Sequence, residues 1–84
     1  MLKCMVIDDE PLAIQLLANH ISRVPFLELT NSFNNPMEAL ISFNADPVDI
    51  IFLDIQMPGR TGFDMLSSLE KSPNVIWFNS FVRE

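Results

Sequence analysis

The chain has 84 residues, 49% hydrophobic and 19% charged, which suits one small globular domain and excludes a disordered segment. Eleven acidic residues stand against five Lys or Arg, for a formal net charge of −6, and the lack of any basic cluster argues against direct nucleic-acid binding by this segment. No apolar run approaches the ~18–20 residues of a membrane span, no signal peptide is visible, and the single cysteine, Cys4, reads as a buried thiol in a reducing, cytoplasmic setting.

Residues 2–7 read as a first strand, since Cys4, Met5, Val6 and Ile7 follow one another without a polar break. The strand runs into Asp8-Asp9-Glu10-Pro11. Proline suits the first position of a helix, and an acid just before it suits the cap, where it meets free N–H groups and the positive end of the helix dipole. The helix extends to about Arg23, with Ile14, Leu17, Ala18 and Ile21 as its apolar stripe and Leu12 and Leu16 widening it; Pro25 stops it. Residues 27–33 alternate with a period near two, the pattern of a half-exposed edge strand. Asn35, Pro36 and Glu38 then read as N-cap, first-turn proline and third-position acid. They open a short helix with Met37, Leu40 and Ile41 facing inward, ended by Asp46-Pro47.

Ile50, Ile51, Phe52 and Leu53 are adjacent apolar residues, as in a strand buried on both faces, and they end in one carboxylate, Asp54. Pro58, Gly59 and Gly62 turn the chain into a third helix over 63–71, closed by Pro73, and Val75 to Phe78 begin a fourth strand. Strands alternating with helices over short connections predict an α/β fold: a flavodoxin-like doubly wound parallel sheet of strand order 2-1-3-4 with helices on both faces.

In that order the first and third strands are neighbours at the point where the strand order reverses, the expected ligand crevice. Asp8, Asp9 and Asp54 meet there. Three carboxylates at one point repel unless a cation or protons compensate, and a few carboxylates with water and phosphate oxygens describe a Mg2+ site. A second reading stays open at this level: Asp8 and Asp9 cap the first helix and Asp54 caps a turn.

The runs Val6-Ile7-Asp8-Asp9-Glu10-Pro11 and Phe52-Leu53-Asp54-Ile55-Gln56-Met57-Pro58, with Gly62 and the separation between them, resemble the receiver domain of two-component response regulators. The Asp-Asp-Glu-Pro-Leu-Ala start and the Asp-Ile-Gln-Met-Pro-Gly tail look most like receivers of the LytTR class, which are usually followed by a DNA-binding domain. The resemblance covers residue 2 to about residue 76. It implies that Asp54 is a phosphoacceptor served by a sensor histidine kinase. It also implies that Asp8, Asp9, Asp54 and the backbone carbonyl of Gln56 hold Mg2+. The module implied is a signalling switch and not an enzyme, with DNA reached only through an output domain outside this segment. The family's Thr or Ser at the end of strand four falls on Asn79, with Ser80 next, as candidate switch residues. The family's fifth-strand Lys has no counterpart before Glu84, and its fourth helix, fifth strand and fifth helix are missing too.

The expectation is therefore one receiver domain over 1–84, incomplete at its C-terminus, whose last residues reflect a truncation or an altered reading frame. The uncovered fourth strand and the wide apolar face of the first helix predict a homodimer or higher self-association. Two other functions stand beside this one. A Mg2+-dependent phosphohydrolase of similar topology places its nucleophile at the end of strand one, often as Asp-x-Asp, from which Asp8-Asp9-Glu10 departs. The other is a folded fragment that no longer switches. His20 reads as a solvent-facing residue of the first helix, and no Gly-rich phosphate loop, Ser/His/Asp set or Cys/His zinc spacing is present.

Overall fold

A computed structural model of the chain describes residues 1–54 and 73–78. In chain order the elements are β1 (Leu2–Ile7), α1 (Pro11–Ser22), β2 (Leu27–Phe33), α2 (Pro36–Ala45), β3 (Ile50–Asp54) and β4 (Asn74–Phe78). All strand pairs are parallel and the order is β2-β1-β3-β4, the flavodoxin-like doubly wound sheet that the alternation of elements predicts. The expected third helix over 63–71, the turn over 58–62 before it, and Gln56, Asn79 and Ser80 lie outside the described residues.

The period of two divides the central strands between two cores. Met5 and Ile7 of β1 join Ile51 and Leu53 of β3, Val48, and Ala39 and Phe43 of α2 on one face of the sheet. Cys4 and Val6 join Ile21 of α1 on the other, where Ile14, Leu17, Ile50 and Phe52 pack around them. A strand that feeds two cores has no polar position, which is why the sequences of β1 and β3 are unbroken apolar runs. The thiol of Cys4 is buried and its pKa is raised, by burial first and by the Glu28 charge second, so it is a packing residue and not a nucleophile.

Both helices start as their sequences require. A Glu10 carboxylate oxygen accepts the Leu12 N–H at 3.4 Å, and Asn35 Oδ1 accepts the Met37 N–H at 2.7 Å, each with a proline in the first turn. On α1, Ile21 and Ala13 are buried, Ile14, Leu17 and Ala18 are half-buried, and Leu12 and Leu16 remain exposed. The inward face of α2 differs from the expected one. Ala39 and Phe43 are the buried pair with Leu40 beside them, whereas Met37 and Ile41 point away from the sheet, Ile41 at 67% exposure. Met37-Leu40-Ile41 and Ala39-Leu40-Phe43 are both helical stripes. The observed one buries the largest side chain of the helix, Phe43, and sets the small Ala39 against the sheet, which permits close approach.

β2 is the expected edge strand, but its alternation is broken. Cys4 pairs with Leu29 and Met5 with Asn31, so Thr30 is an extra residue in the strand. The Thr30 hydroxyl donates to the Cys4 carbonyl at 3.2 Å across the irregularity. The shift reverses the faces along β2: Leu27 and Leu29 pack on the α1 side and Phe33 on the α2 side.

At the opposite end from the acids, Asp49 ties β3 to β1 twice. Its N–H donates to the Lys3 carbonyl at 2.8 Å, and its Oδ2 accepts the Lys3 N–H, also at 2.8 Å. These bonds hold the register in which Cys4 lies opposite Ile50 and Ile7 opposite Leu53. Each contributes on the order of 1 kcal/mol, more for the carboxylate acceptor.

Candidate functional site

The register places the site. Ile7 and Leu53 are the last paired residues of β1 and β3, so Asp8 and Asp54 stand one step further along adjacent strands, at their carboxyl ends. Both carboxylates are almost wholly shielded from water, at 0% and 1% exposure, while Asp9 is exposed beside them. One carboxylate oxygen from each of Asp8, Asp9 and Asp54 lies within 4.8 Å of the others. The three acids expected to meet therefore do meet, although Asp54 is distant in sequence from the adjacent pair Asp8 and Asp9.

One of the acids, Asp8, is also held by the chain itself. Asp8 Oδ1 accepts the Glu10 N–H at 2.9 Å, closing a turn that leads into α1, so Asp8 does not cap the helix itself. The capping of α1 proper falls to Glu10. Asp8 Oδ2 is buried and makes no hydrogen bond. A buried carboxylate oxygen without a partner carries an unmet cost of about 1–3 kcal/mol, more when charged, so it marks a place for a proton or a cation. The Asp8 carboxyl pKa is raised from 3.8 to about 7. Burial is the main cause and the neighbouring Asp54 carboxylate adds to it, while the Glu10 N–H pulls the other way.

The donor set fits a hard divalent cation. All of its atoms are carboxylate oxygens, and Mg2+ is held by one or two carboxylates with waters and phosphate oxygens. Mg–O distances of roughly 2.1 Å keep two oxygens on one ion within about 4.2 Å of each other. Separations of up to 4.8 Å thus suit direct bonds from some of the acids and water-bridged contact from the rest. His20 is exposed on α1 and, among the described residues, belongs to no such group.

Residues 4–80 match the family of response regulator receiver domains. The chain belongs to that family. As a receiver it is 31% identical over 83 residues to the transcriptional regulatory protein BtsR of Escherichia coli K12, an alignment covering 96% of this chain and 35% of that protein. The chain spans about a third of the length of the curated relatives it matches. Among solved structures it is similar to the complex of the P1 domain of CheA3 with CheY6 from R. sphaeroides, at 29% identity and a TM-score of 0.79, covering 90% of this chain and 61% of that one. It is also similar to the signal receiver domain of NarL from Mycobacterium tuberculosis, with a TM-score of 0.82, covering 98% and 68%. At 22% identity that second likeness speaks for the fold alone. These relatives support the receiver family and do not support the finer assignment to the LytTR class.

One neighbour of the site escapes a reading by residue type. Phe78, the last residue of β4, lies in register with Asp54. The signal was available as alignment of strand ends, because Asp54 follows one apolar run and Phe78 closes the other, but a phenylalanine in a strand attracts no functional reading.

Proposed function

We propose that this receiver accepts a phosphoryl group on Asp54. The observation that carries the reading is a buried carboxylate at the end of β3, gathered with Asp8 and Asp9 at the carboxyl edge of a family-typical sheet. An Asp54 oxygen attacks phosphorus in line, and the P–N bond to a phosphohistidine donor breaks. The imidazole leaves with the electron pair, and Asp54 becomes an acyl phosphate. Asp8, Asp9 and Asp54, with the Gln56 backbone carbonyl, hold Mg2+ in this reading. The ion supplies positive charge against the phosphoryl oxygens and the acids. Asn79 and Ser80 are the positions from which a side chain follows the phosphoryl group. The donor is a sensor histidine kinase or its phosphotransfer domain, in keeping with the complex formed by the R. sphaeroides neighbour. Residues 1–84 are the receiver part, and the output, a DNA-binding domain whose LytTR class rests on sequence flavour alone, lies outside them. A cytoplasmic site of action accords with the fact that, among the described residues, no helix is long and apolar enough to cross a membrane.

Incubation with a small-molecule phosphodonor and Mg2+, followed by intact mass, tests this reading. The expected result is one phosphoryl adduct, lost in Asp54→Asn. Turnover of the donor with no adduct on Asp54 indicates the phosphohydrolase, and neither adduct nor turnover indicates a non-switching fragment.

A propensity to self-associate belongs to the same proposal. β2 is an edge guarded by Glu28 and by the irregularity at Thr30, whereas β4 is an edge of Asn74, Val75, Ile76, Trp77 and Phe78 with no charge and with Ile76 45% exposed. Sedimentation at concentrations on the order of tens of micromolar is expected to show dimers or larger species. A well-folded monomer under those conditions counts against β4 as a pairing edge.

A further inference from the structure

Asp54 has unlike neighbours on its two sides. Asp8 stands beside it at the end of β1, and on the β4 side the register sets Phe78 directly opposite it. Paired residues of parallel strands project from the same face of the sheet, with the strands about 4.8 Å apart. For this pair the face is the α1 side, because Phe78 packs with the Cys4, Val6 and Ile21 cluster, as do Ile50 and Phe52, which alternate down β3 to Asp54. The half-buried Phe78 is thus the strand neighbour of Asp54 on the side away from the other acids.

We infer that Phe78 screens the Asp54 carboxyl from water on its β4 side and thereby lengthens the life of a phosphoryl group carried there. The inference rests on Asp54 being the acceptor. Loss of the group is a hydrolysis: a water oxygen bonds to phosphorus, the P–O bond to Asp54 breaks, and Asp54 departs as a carboxylate. Inorganic phosphate carries the phosphoryl group away, with one water proton released to solvent. The attacking water must reach phosphorus opposite the Asp54 oxygen and be held there. An aromatic ring occupies approach volume and offers an attacking water no acceptor for its proton. A small side chain opens that volume.

The test is the decay of the Asp54 adduct, followed by intact mass after removal of the phosphodonor in the presence of Mg2+, for wild type, Phe78→Ala and Phe78→Leu. The expected lifetime falls roughly three- to tenfold in Phe78→Ala, about 1 order of magnitude at most in rate. It falls less, around twofold, in Phe78→Leu, which keeps the apolar contact with the α1-side cluster and carries the test alone if the alanine variant does not fold. Decay in concentrated urea is expected to be the same for all three, because the screen is a property of the folded sheet. Unchanged or longer native lifetimes in both variants overturn the inference while leaving the acceptor reading intact. No adduct on wild-type Asp54 overturns the acceptor reading, and the inference with it.

Discussion

In metal-free buffer the protein is expected to lose stability as pH rises from about 4 to about 8, and Asp8→Asn is expected to remove most of that loss. Asp8 has a carboxyl pKa of about 7 in the folded chain against an ordinary 3.8. Between those values the folded state holds a proton that the unfolded chain has released, so the unfolding free energy declines as pH increases. Below about pH 4 both states are protonated and no penalty exists. Above about pH 7 the penalty is complete, on the order of a few kcal/mol given that one unit of pKa corresponds to about 1.4 kcal/mol. Set against the 5–15 kcal/mol typical of whole domains, that is a large share. Asparagine keeps an oxygen to accept the Glu10 N–H but has no charge to desolvate. Urea melts of both proteins at pH 4, 5.5 and 7.5 check this. Their difference isolates Asp8, and it is expected to be near zero at pH 4 and to favour Asp8→Asn by a few kcal/mol at pH 7.5. Equal differences at all three pH values contradict the buried-carboxyl account.

A divalent cation is expected to reverse the same penalty. The buried Asp8 and Asp54 charges and the partnerless Asp8 Oδ2 are costs that an ion at the acid cluster offsets. A ligand that binds only the folded state stabilises it by about 2.7 kcal/mol at a hundredfold excess over its Kd. For a domain of this size that corresponds to a rise in Tm of roughly 10 °C or more. Saturating Mg2+ at pH 7.5 should therefore lift the Tm of wild type, and the lift should fade toward pH 4 as Asp8 takes up a proton. Asp9→Asn should weaken the effect about tenfold in Mg2+ concentration, with little change in metal-free stability, because Asp9 is exposed. Calcium-free, Mg2+-titrated melts measure both quantities. An equal lift in wild type, Asp9→Asn and Asp54→Asn places the ion elsewhere.

The strand order and the meeting of the three acids were legible because both follow from coarse features. β1 and β3 are apolar runs too long to face water, each ends in carboxylates, and short crossovers leave few ways to arrange parallel strands. Asn35, Glu10 and the prolines beside them mark helix starts through bonds made within two residues, so local sequence suffices. What escaped depends on long-range choices. The inward face of α2 is decided by Phe43 and Ala39 fitting against Met5, Ile7 and Leu53, a matter of shape between distant residues. The irregularity at Thr30 is likewise set by pairing with Cys4 and Met5, and nothing in residues 27–33 alone announces it. The screening position of Phe78 requires the β3–β4 register, which neither strand carries by itself. In the site, the position of each acid was readable from the ends of the apolar runs. The division of labour within Asp8, one oxygen spent on the Glu10 N–H and the other left for a proton or a cation, was not.

The residue to which a phosphoryl group attaches tests Asp54 as the acceptor most directly. After incubation with a small-molecule phosphodonor and Mg2+, reductive trapping of the acyl phosphate and fragment-ion sequencing of the peptides locate it. The expected label is on Asp54 alone, at a stoichiometry approaching one per chain. A label on Asp8, Asp9 or a hydroxyl side chain, or no label from a protein that Mg2+ demonstrably stabilises, contradicts it.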